Sequence, residues 1–173
     1  AVEYVAALGG GTVLIAPGTY LMWDSLHLRS DVTVAGIPGK TFLKKADAQV
    51  SPLVRDGDFG EQQFTVADPS GFEVGYGVTI RDDRSGGFHT TVARITGRDG
   101  NTFSIDKPLM ADCMVNNKAR AATVFPVVSG YDIQGARIEN ITIGGNKANN
   151  SHLNGCRGAG IFLYRAFGTV IKG

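Results

Sequence analysis

The sequence has few cysteines, almost no net charge and no long hydrophobic run, and each shortage excludes a class of protein. Its two cysteines are too few for a disulfide framework. With 17 basic and 16 acidic residues, the formal net charge of +1 gives no field that would attract nucleic acid or an anionic membrane. No run of about 18 apolar residues occurs, so no membrane span is expected. P-loop, dinucleotide-binding, nucleophile-elbow and metal-binding Cys/His motifs are also missing.

Glycine, by contrast, is abundant, and it indicates a chain with many tight turns. The 24 glycines favour tight turns over long helices, and a hydrophobic content of 43% argues against disorder. The length of 173 residues predicts one domain, with room for an insertion. Residues 1–8 read as the end of an amphipathic helix that stops at Gly9. No signal peptide precedes them, so we expect a chain trimmed within an element. Cys113 and Cys156 fall in different regions and are expected to be free thiols rather than a disulfide.

Short β-branched segments return at a period of about 20 residues, which is typical of a solenoid. The clearest are residues 11–20, 30–36 and 138–146. Three pairs of β-branched residues set the period: Val13 and Val34, 21 residues apart, Val34 and Val54, 20 apart, and Ile141 and Ile161, 20 apart. A βαβ unit needs roughly 30 residues. The period therefore favours the rungs of a parallel β-helix.

The pattern changes in the middle of the chain, which predicts three regions. Residues 1–58 are expected to form a helical cap and the first rungs, with strands near 12–16, 26–29, 32–35, 41–44 and 53–55. Residues 59–122 alternate apolar and polar side chains and include a hairpin around the loop 97–101, so we expect an inserted antiparallel β subdomain. Residues 123–173 are expected to form further rungs. Solenoid insertions emerge from one face, which is often the binding face.

Two segments resemble the pectate-lyase-like right-handed parallel β-helix superfamily. Residues 9–20 are similar to its GGGTV and PxGTY opening, which follows a capping helix. Residues 138–146 are similar to its I-x-N-[LVI]-T-I-D-G-N rung, with Gly144 in place of a common Asp. The resemblance implies an all-β fold: a right-handed parallel β-helix with a short N-terminal capping helix. The superfamily includes polysaccharide lyases, C5-epimerases, hydrolases, adhesins and phage tailspikes.

The segment after this rung is the predicted site. Residues 146–155 are similar to a segment of alginate C5-epimerases, where lysine often stands at the place of His152. Lys147 and Arg157 would neutralise a sugar carboxylate, and His152 would carry the proton that a base removes. The residues expected to bind the saccharide are Asn149, Asn150, Asn154, Tyr164 and Arg165. The alternative is a polar, solvent-exposed loop without a function.

A second polar cluster lies in the inserted region. Asp82 and Asp83 are adjacent acids, and carboxylate oxygens are ligands that Ca²⁺ prefers. The alternative is a solvated turn, which is the commoner role for adjacent acids in a glycine-containing loop. Calcium is the one cofactor that the sequence suggests.

Three functions remain open from the sequence. The first is an extracellular enzyme, a lyase, C5-epimerase or glycoside hydrolase that acts on an acidic polysaccharide. The second is a non-catalytic carbohydrate-binding, adhesive or phage-spike module. The third is a structural N-terminal portion of a longer solenoid, because an uncapped β-helix end exposes backbone groups and we expect further rungs or another chain after Gly173. The resemblance implies a secreted or cell-surface protein, since a polymer too large to import is met outside the cell.

Overall fold

The chain is mostly β-structure with one short α-helix, as a computed structural model of residues 1–151, 153 and 156–173 describes it. Helix α1 spans Val2–Ala7. The strands are Gly11–Leu14 (β1), Gly18–Met22 (β2), Leu26–His27 (β3), Val32–Ala35 (β4), Thr41–Lys45 (β5), Val50–Pro52 (β6), Gln63–Thr65 (β7), Gly77–Arg81 (β8), Thr91–Asp99 (β9), Thr102–Ile105 (β10), Arg120–Thr123 (β11), Val128–Gln134 (β12), Arg137–Glu139 (β13), Thr142–Gly144 (β14), Ile161–Phe167 (β15) and Val170–Lys172 (β16). Single 3-10 turns span Gly87–His89, Val115–Asn117, Lys147–Asn149 and Cys156–Gly158.

These elements form two compact units. One, here called the parallel unit, comprises Ala1–Ala46, Pro126–Asn146 and Gly158–Gly173. The other, the antiparallel unit, comprises Asp47–Phe125 and Lys147–Arg157. The predicted division at residues 58/59 and 122/123 stays a prediction.

The parallel unit contains three sheets that the chain visits in turn. The first sheet has the order β1-β4-β13-β16, the second β14-β5-β2 and the third β15-β12-β3. All neighbours in these sheets are parallel. Along the chain, β1, β2 and β3 lie in the first, second and third sheets. Strands β4, β5 and β12 repeat that cycle, and β13, β14 and β15 repeat it again. Strand β16 then returns to the first sheet.

Apolar residues in register fill the interior of this unit. In the first sheet Val13 pairs with Val34, and Val34 with Ile138. Val34 and Ile138 are buried in the same core cluster, and Val13 packs against it. Side chains alternate across a strand, so each strand supplies every second residue to the core and the others to the outer face. Val2 and Val5 of α1 pack against the same cluster, and α1 confirms the prediction of a short helix at the start of the chain.

Corners between the third and first sheets depend on left-handed backbone. Asp31, Gly135 and Gly168 have φ values of 59°, 63° and 60°. Each lies two residues before a member of the paired set Thr33, Arg137 and Val170. Successive turns thus bend at the same register position, and two of the three corners use glycine, which adopts positive φ without steric cost.

Gly36→Ala is expected to lower the stability of the parallel unit by about 1–3 kcal/mol, because overpacking forces backbone shifts. A Cβ at Gly36 would lie 2.7 Å from the carbonyl oxygen of Asn140 and 2.9 Å from Ile141 Cγ1. Gly145→Ala is the matched control, since a Cβ there meets nothing within 4 Å. Thermal unfolding followed by circular dichroism measures both variants. Equal midpoints for Gly36→Ala and Gly145→Ala would contradict the close approach at Gly36.

The antiparallel unit holds a six-stranded sheet around an aromatic core. Its strand order is β6-β11-β8-β9-β10-β7, with every pair antiparallel. Phe64 and Phe103 stack with ring centroids 5.3 Å apart, and Phe72 lies 5.8 Å from Phe103. The predicted hairpin is confirmed as β9 and β10.

Two strand assignments differ from the sequence prediction. Strand β2 was not predicted, because Pro17 and Gly18 read as a turn signal and glycine is disfavoured in strands. A strand was expected at residues 53–55, as a rung. The structure has β6 at Val50–Pro52 instead, paired antiparallel with β11 in the antiparallel unit.

Candidate functional site

The outer face of the third sheet in the parallel unit carries two rows of functional side chains. One register row of this sheet faces the core: Val128 belongs to the core cluster, and its partners Leu26 and Ile161 pack against that cluster. Because side chains alternate along a strand, the residue after each of these points away from the core. The resulting first row is His27, Ser129 and Phe162. The second row is Tyr131 and Tyr164, which are also in register.

Three rings on this face form a continuous aromatic platform, defined here as Tyr131, Phe162 and Tyr164. The centroid of the Tyr131 ring lies 5.3 Å from that of Phe162 and 6.5 Å from that of Tyr164, with interplanar angles of 48° and 49°. Tyr131 is 45% exposed and Tyr164 is 51% exposed. Phe162 is half-buried, so the two tyrosines present most of this aromatic surface to solvent, although burying their rings would be favourable.

An ion pair flanks the platform. The guanidinium of Arg165 lies 5.0 Å from the centroid of the Tyr164 ring, which is within cation–π distance. Its Nε lies 2.5 Å from Asp132 Oδ1 and forms an ion pair with it. Both residues have positive φ, 53° for Asp132 and 48° for Arg165, and both follow the paired tyrosines. The structure thus brings together Tyr164 and Arg165, two residues that the sequence suggested for saccharide binding.

Two residues of the first row, His27 and Ser129, form a series of side-chain hydrogen bonds with Asp24. His27 Nε2 lies 3.2 Å from Asp24 Oδ2, and His27 Nδ1 lies 2.9 Å from Ser129 Oγ. Asp24 and His27 are half-buried, while Ser129 is only 2% exposed. Sequence reasoning missed this series of hydrogen bonds, because His27 and Ser129 are 102 residues apart and only the parallel pairing of β3 with β12 brings them together.

The predicted loop residues that the structure describes lie in the antiparallel unit. Lys147, Asn149 and Arg157 are exposed and Asn150 is half-buried. The carbonyl of Asn149 accepts a hydrogen bond from the backbone of Ala48 at 2.9 Å. The predicted His152 and Asn154 lie outside the described residues. The catalytic and binding roles of this loop stay predictions.

Asp82, one of the two predicted calcium ligands, is a buried carboxylate saturated with protein donors. The backbone N–H groups of Arg84, Ser85 and Met114 donate to it at 2.8, 2.6 and 3.2 Å, and Asn117 Nδ2 donates at 3.2 Å. Burial alone would raise the pKa of Asp82, but the hydrogen bonds from Ser85, Met114 and Arg84 outweigh it and hold the pKa well below its usual range. These hydrogen bonds tie the turn at residues 82–85 to Met114 and Asn117.

Asp83, the second predicted ligand, is engaged with cations. Arg120 Nη1 lies 2.8 Å from Asp83 Oδ1, and Lys118 Nζ lies 3.9 Å from Asp83 Oδ2. Among the described residues, no group of three or more His, Cys, Asp or Glu side chains could hold a metal ion. The calcium site stays a prediction that these contacts do not favour.

Two further groups have shifted pKa values for which desolvation is the main cause. Burial lowers the pKa of Lys45, in β5 of the parallel unit, to about 8. Burial raises the pKa of the Cys113 thiol, in the antiparallel unit, and this free thiol is therefore poorly reactive at neutral pH.

Comparisons with known proteins give structural likenesses only. No protein-family model and no curated protein matches the chain. Three phage tailspikes among the solved structures are similar to it. The tailspike of Pseudomonas phage phi297 has 12% identity over 81% of this chain with a TM-score of 0.42, and that of Pseudomonas phage LKA1 has 14% identity over 82% with a TM-score of 0.34. The tailspike of Acinetobacter baumannii bacteriophage AP22, solved in complex with A. baumannii capsular saccharide, has 16% identity over 98% of this chain with a TM-score of 0.41.

The chain spans 30% to 32% of the length of these tailspike chains. At these TM-scores the likenesses show neither a family nor a function for this chain. Membership of the pectate-lyase-like superfamily stays a prediction. No helix in the described ranges has the length and hydropathy that a membrane span requires.

Proposed function

We propose that the parallel unit is a right-handed parallel β-helix whose third sheet binds a polysaccharide on the aromatic platform. The cyclic order of the strands supports the β-helix, because each of the three sheets receives one strand from every turn of the chain. Such a stack gives a rigid, extended surface, which suits a long polymer better than a small solute.

The exposed platform is the observation that carries the binding proposal. Tyr131, Phe162 and Tyr164 present ring faces and edges against which the C–H faces of sugar rings can pack and lose water. The two tyrosine hydroxyls, with Asp132 and Arg165, supply donors and acceptors for sugar hydroxyls. Because Arg165 is a cation, it also provides a partner for the carboxylate of an acidic sugar.

The proposal includes chemical modification or cleavage of the bound polymer. Lys147 and Arg157 are exposed cations suited to a uronate carboxylate, and their segment includes His152, the proposed proton carrier. A lyase, C5-epimerase or hydrolase would use these groups, whereas an adhesive or spike-type module would use the platform alone. We place the protein outside the cell or on a surface, since a polymer too large to import is met there.

Tyr131→Ala and Tyr164→Ala are each expected to weaken polysaccharide binding by about 1–3 kcal/mol, which is roughly 5- to 150-fold in Kd. Each variant removes a ring that would cover a sugar face. Tyr4→Ala is the matched control, because Tyr4 is an exposed tyrosine of the parallel unit that lies in α1 and not in the third sheet. Calorimetric titration with a panel of acidic and neutral polysaccharides measures the affinities.

Proton NMR of the same mixtures reports cleavage, unsaturated ends and C5 inversion. Turnover would favour the enzyme, and saturable binding without a product would favour the module. If the three variants Tyr131→Ala, Tyr164→Ala and Tyr4→Ala bind the polysaccharide equally tightly, the platform is not the binding site.

A further inference from the structure

We propose that Asp24, His27 and Ser129 form an esterase site that removes small acyl groups. All three side chains belong to the parallel unit. Their contacts, 3.2 Å between Asp24 and His27 and 2.9 Å between His27 and Ser129, place a carboxylate, an imidazole and a hydroxyl in one hydrogen-bonded chain. This is the relation of orienting acid, base and nucleophile that acyl-transfer enzymes use on unrelated folds.

The direction of the hydrogen bonds follows from the chemistry of the partners. An ionised carboxylate only accepts hydrogen bonds, so Asp24 takes the proton of neutral His27 on Nε2. Nδ1 is then unprotonated and accepts from the Ser129 hydroxyl. Asp24 therefore holds the tautomer in which His27 is a base toward Ser129. The two ring nitrogens have exchanged the roles that they usually have in such a triad, but the proton path is the same.

The reaction balances with water as the second substrate. Ser129 Oγ attacks the ester carbonyl carbon while its proton passes to His27 Nδ1. The ester C–O bond then breaks, and the leaving alkoxide takes that proton from His27 and departs as an alcohol. Water next attacks the acyl-Ser129 ester with His27 as base, which releases the carboxylic acid and restores the Ser129 hydroxyl.

The burial of Ser129 selects the acyl group. A side chain in a residue only 2% exposed can meet a small acyl group, such as acetyl, more readily than a long chain. Phe162, a ring of the aromatic platform, is the direct register partner of Ser129. The natural substrate would thus be an O-acetylated saccharide, an assignment that rests on the proposed function. The acyl-transfer chemistry does not rest on it.

The test of the chemistry uses p-nitrophenyl acetate and the full chain. We expect hydrolysis of the acetate ester to exceed that of the butyrate ester. Ser129→Ala and His27→Gln should each lower kcat by about a hundredfold or more. Asp24 is a positioning residue, so Asp24→Asn should lower kcat while leaving KM nearly unchanged. Ser51→Ala, which removes another buried serine hydroxyl, is the control.

Covalent labelling keeps the test independent of folding in the variants. A small sulfonyl fluoride should label unmodified protein at Ser129, as peptide mass spectrometry would show, and should abolish acetate release. No label on Ser129, or equal rates for unmodified protein, Ser129→Ala and Ser51→Ala, would overturn the proposal.

A second arm separates this proposal from the platform. Hydrolysis of p-nitrophenyl acetate, compared between the unmodified protein and Ser129→Ala, reports the esterase site, and calorimetric binding of the polysaccharide, compared between the unmodified protein and Tyr131→Ala, reports the platform. If the ester is hydrolysed through Ser129 but Tyr131→Ala binds the polysaccharide as tightly as the unmodified protein, the esterase site stands and the platform fails. If the ester is not hydrolysed but the polysaccharide binds, the platform stands and the esterase proposal is refuted.

Discussion

Asp82→Ala is expected to lower the free energy of unfolding by about 3–5 kcal/mol, because removing one partner from a buried charged network leaves the others unpaired. Three backbone N–H groups and the Asn117 amide point at this carboxylate. Alanine cannot accept any of these bonds. Urea unfolding at neutral pH measures the loss.

Asp83→Ala is the matched control for this prediction. The neighbouring carboxylate is half exposed and forms surface ion pairs with Arg120 and Lys118, which are worth at most about 1 kcal/mol. Equal losses for Asp82→Ala and Asp83→Ala would contradict the structural role of Asp82. Stabilisation by added Ca²⁺ that both variants abolish would instead support the calcium prediction.

The contribution of Asp82 should also depend on pH in one direction. The folded state lowers the pKa of this carboxyl, so folding favours the ionised form. Its stabilisation is fully present above the unfolded pKa of about 4 and is lost as the pH falls from there toward the folded pKa. The stability difference between the unmodified protein and Asp82→Ala should therefore shrink below about pH 4. A difference that stays constant on acidification would contradict this linkage.

Phe103→Ala is expected to lower the free energy of unfolding by about 3–5 kcal/mol, the usual cost of deleting a buried ring and leaving a cavity. Phe103 is 0% exposed. It stacks on Phe64 and contacts Phe72, so truncation also removes two aromatic contacts. Urea unfolding followed by circular dichroism measures the change.

Phe88→Ala is the control that separates burial from residue type. Phe88 belongs to the same unit but is 98% exposed, so its removal should change stability by no more than about 0.5 kcal/mol. A loss for Phe88→Ala as large as that for Phe103→Ala would mean that the aromatic core is not what stabilises the antiparallel unit.

Local signals in the sequence predicted the elements that depend on neighbouring residues. The helix at residues 1–8, the strands around Val13 and Val34 and the hairpin of β9 and β10 all appear near their expected places. Val13 and Val34, which are 21 residues apart, are register partners in the parallel pair of β1 and β4. Helix-stop glycines, β-branched runs and turn residues act within a few residues, which is why the sequence alone reveals them.

The other spacings in the proposed period do not correspond to pairs. Val34 pairs with Ile138 and not with Val54. The reason is that strands β6 to β11 follow in the sequence and pair with one another in a separate sheet. Ile161 pairs with Val128 in the third sheet and has no register relation to Ile141. A period read along the chain cannot detect rungs that an insertion separates.

The sequence by itself therefore determined the β-rich class, the N-terminal helix and the repeating parallel-strand character of the chain. Only the tertiary structure decided which polar groups meet. Asp24 and His27 come from the first turn and Ser129 from the second, and the platform joins residues of β12 and β15. The physical reason is that parallel pairing sets side chains from distant parts of the chain about 4.8 Å apart across adjacent strands, a relation that no local pattern encodes.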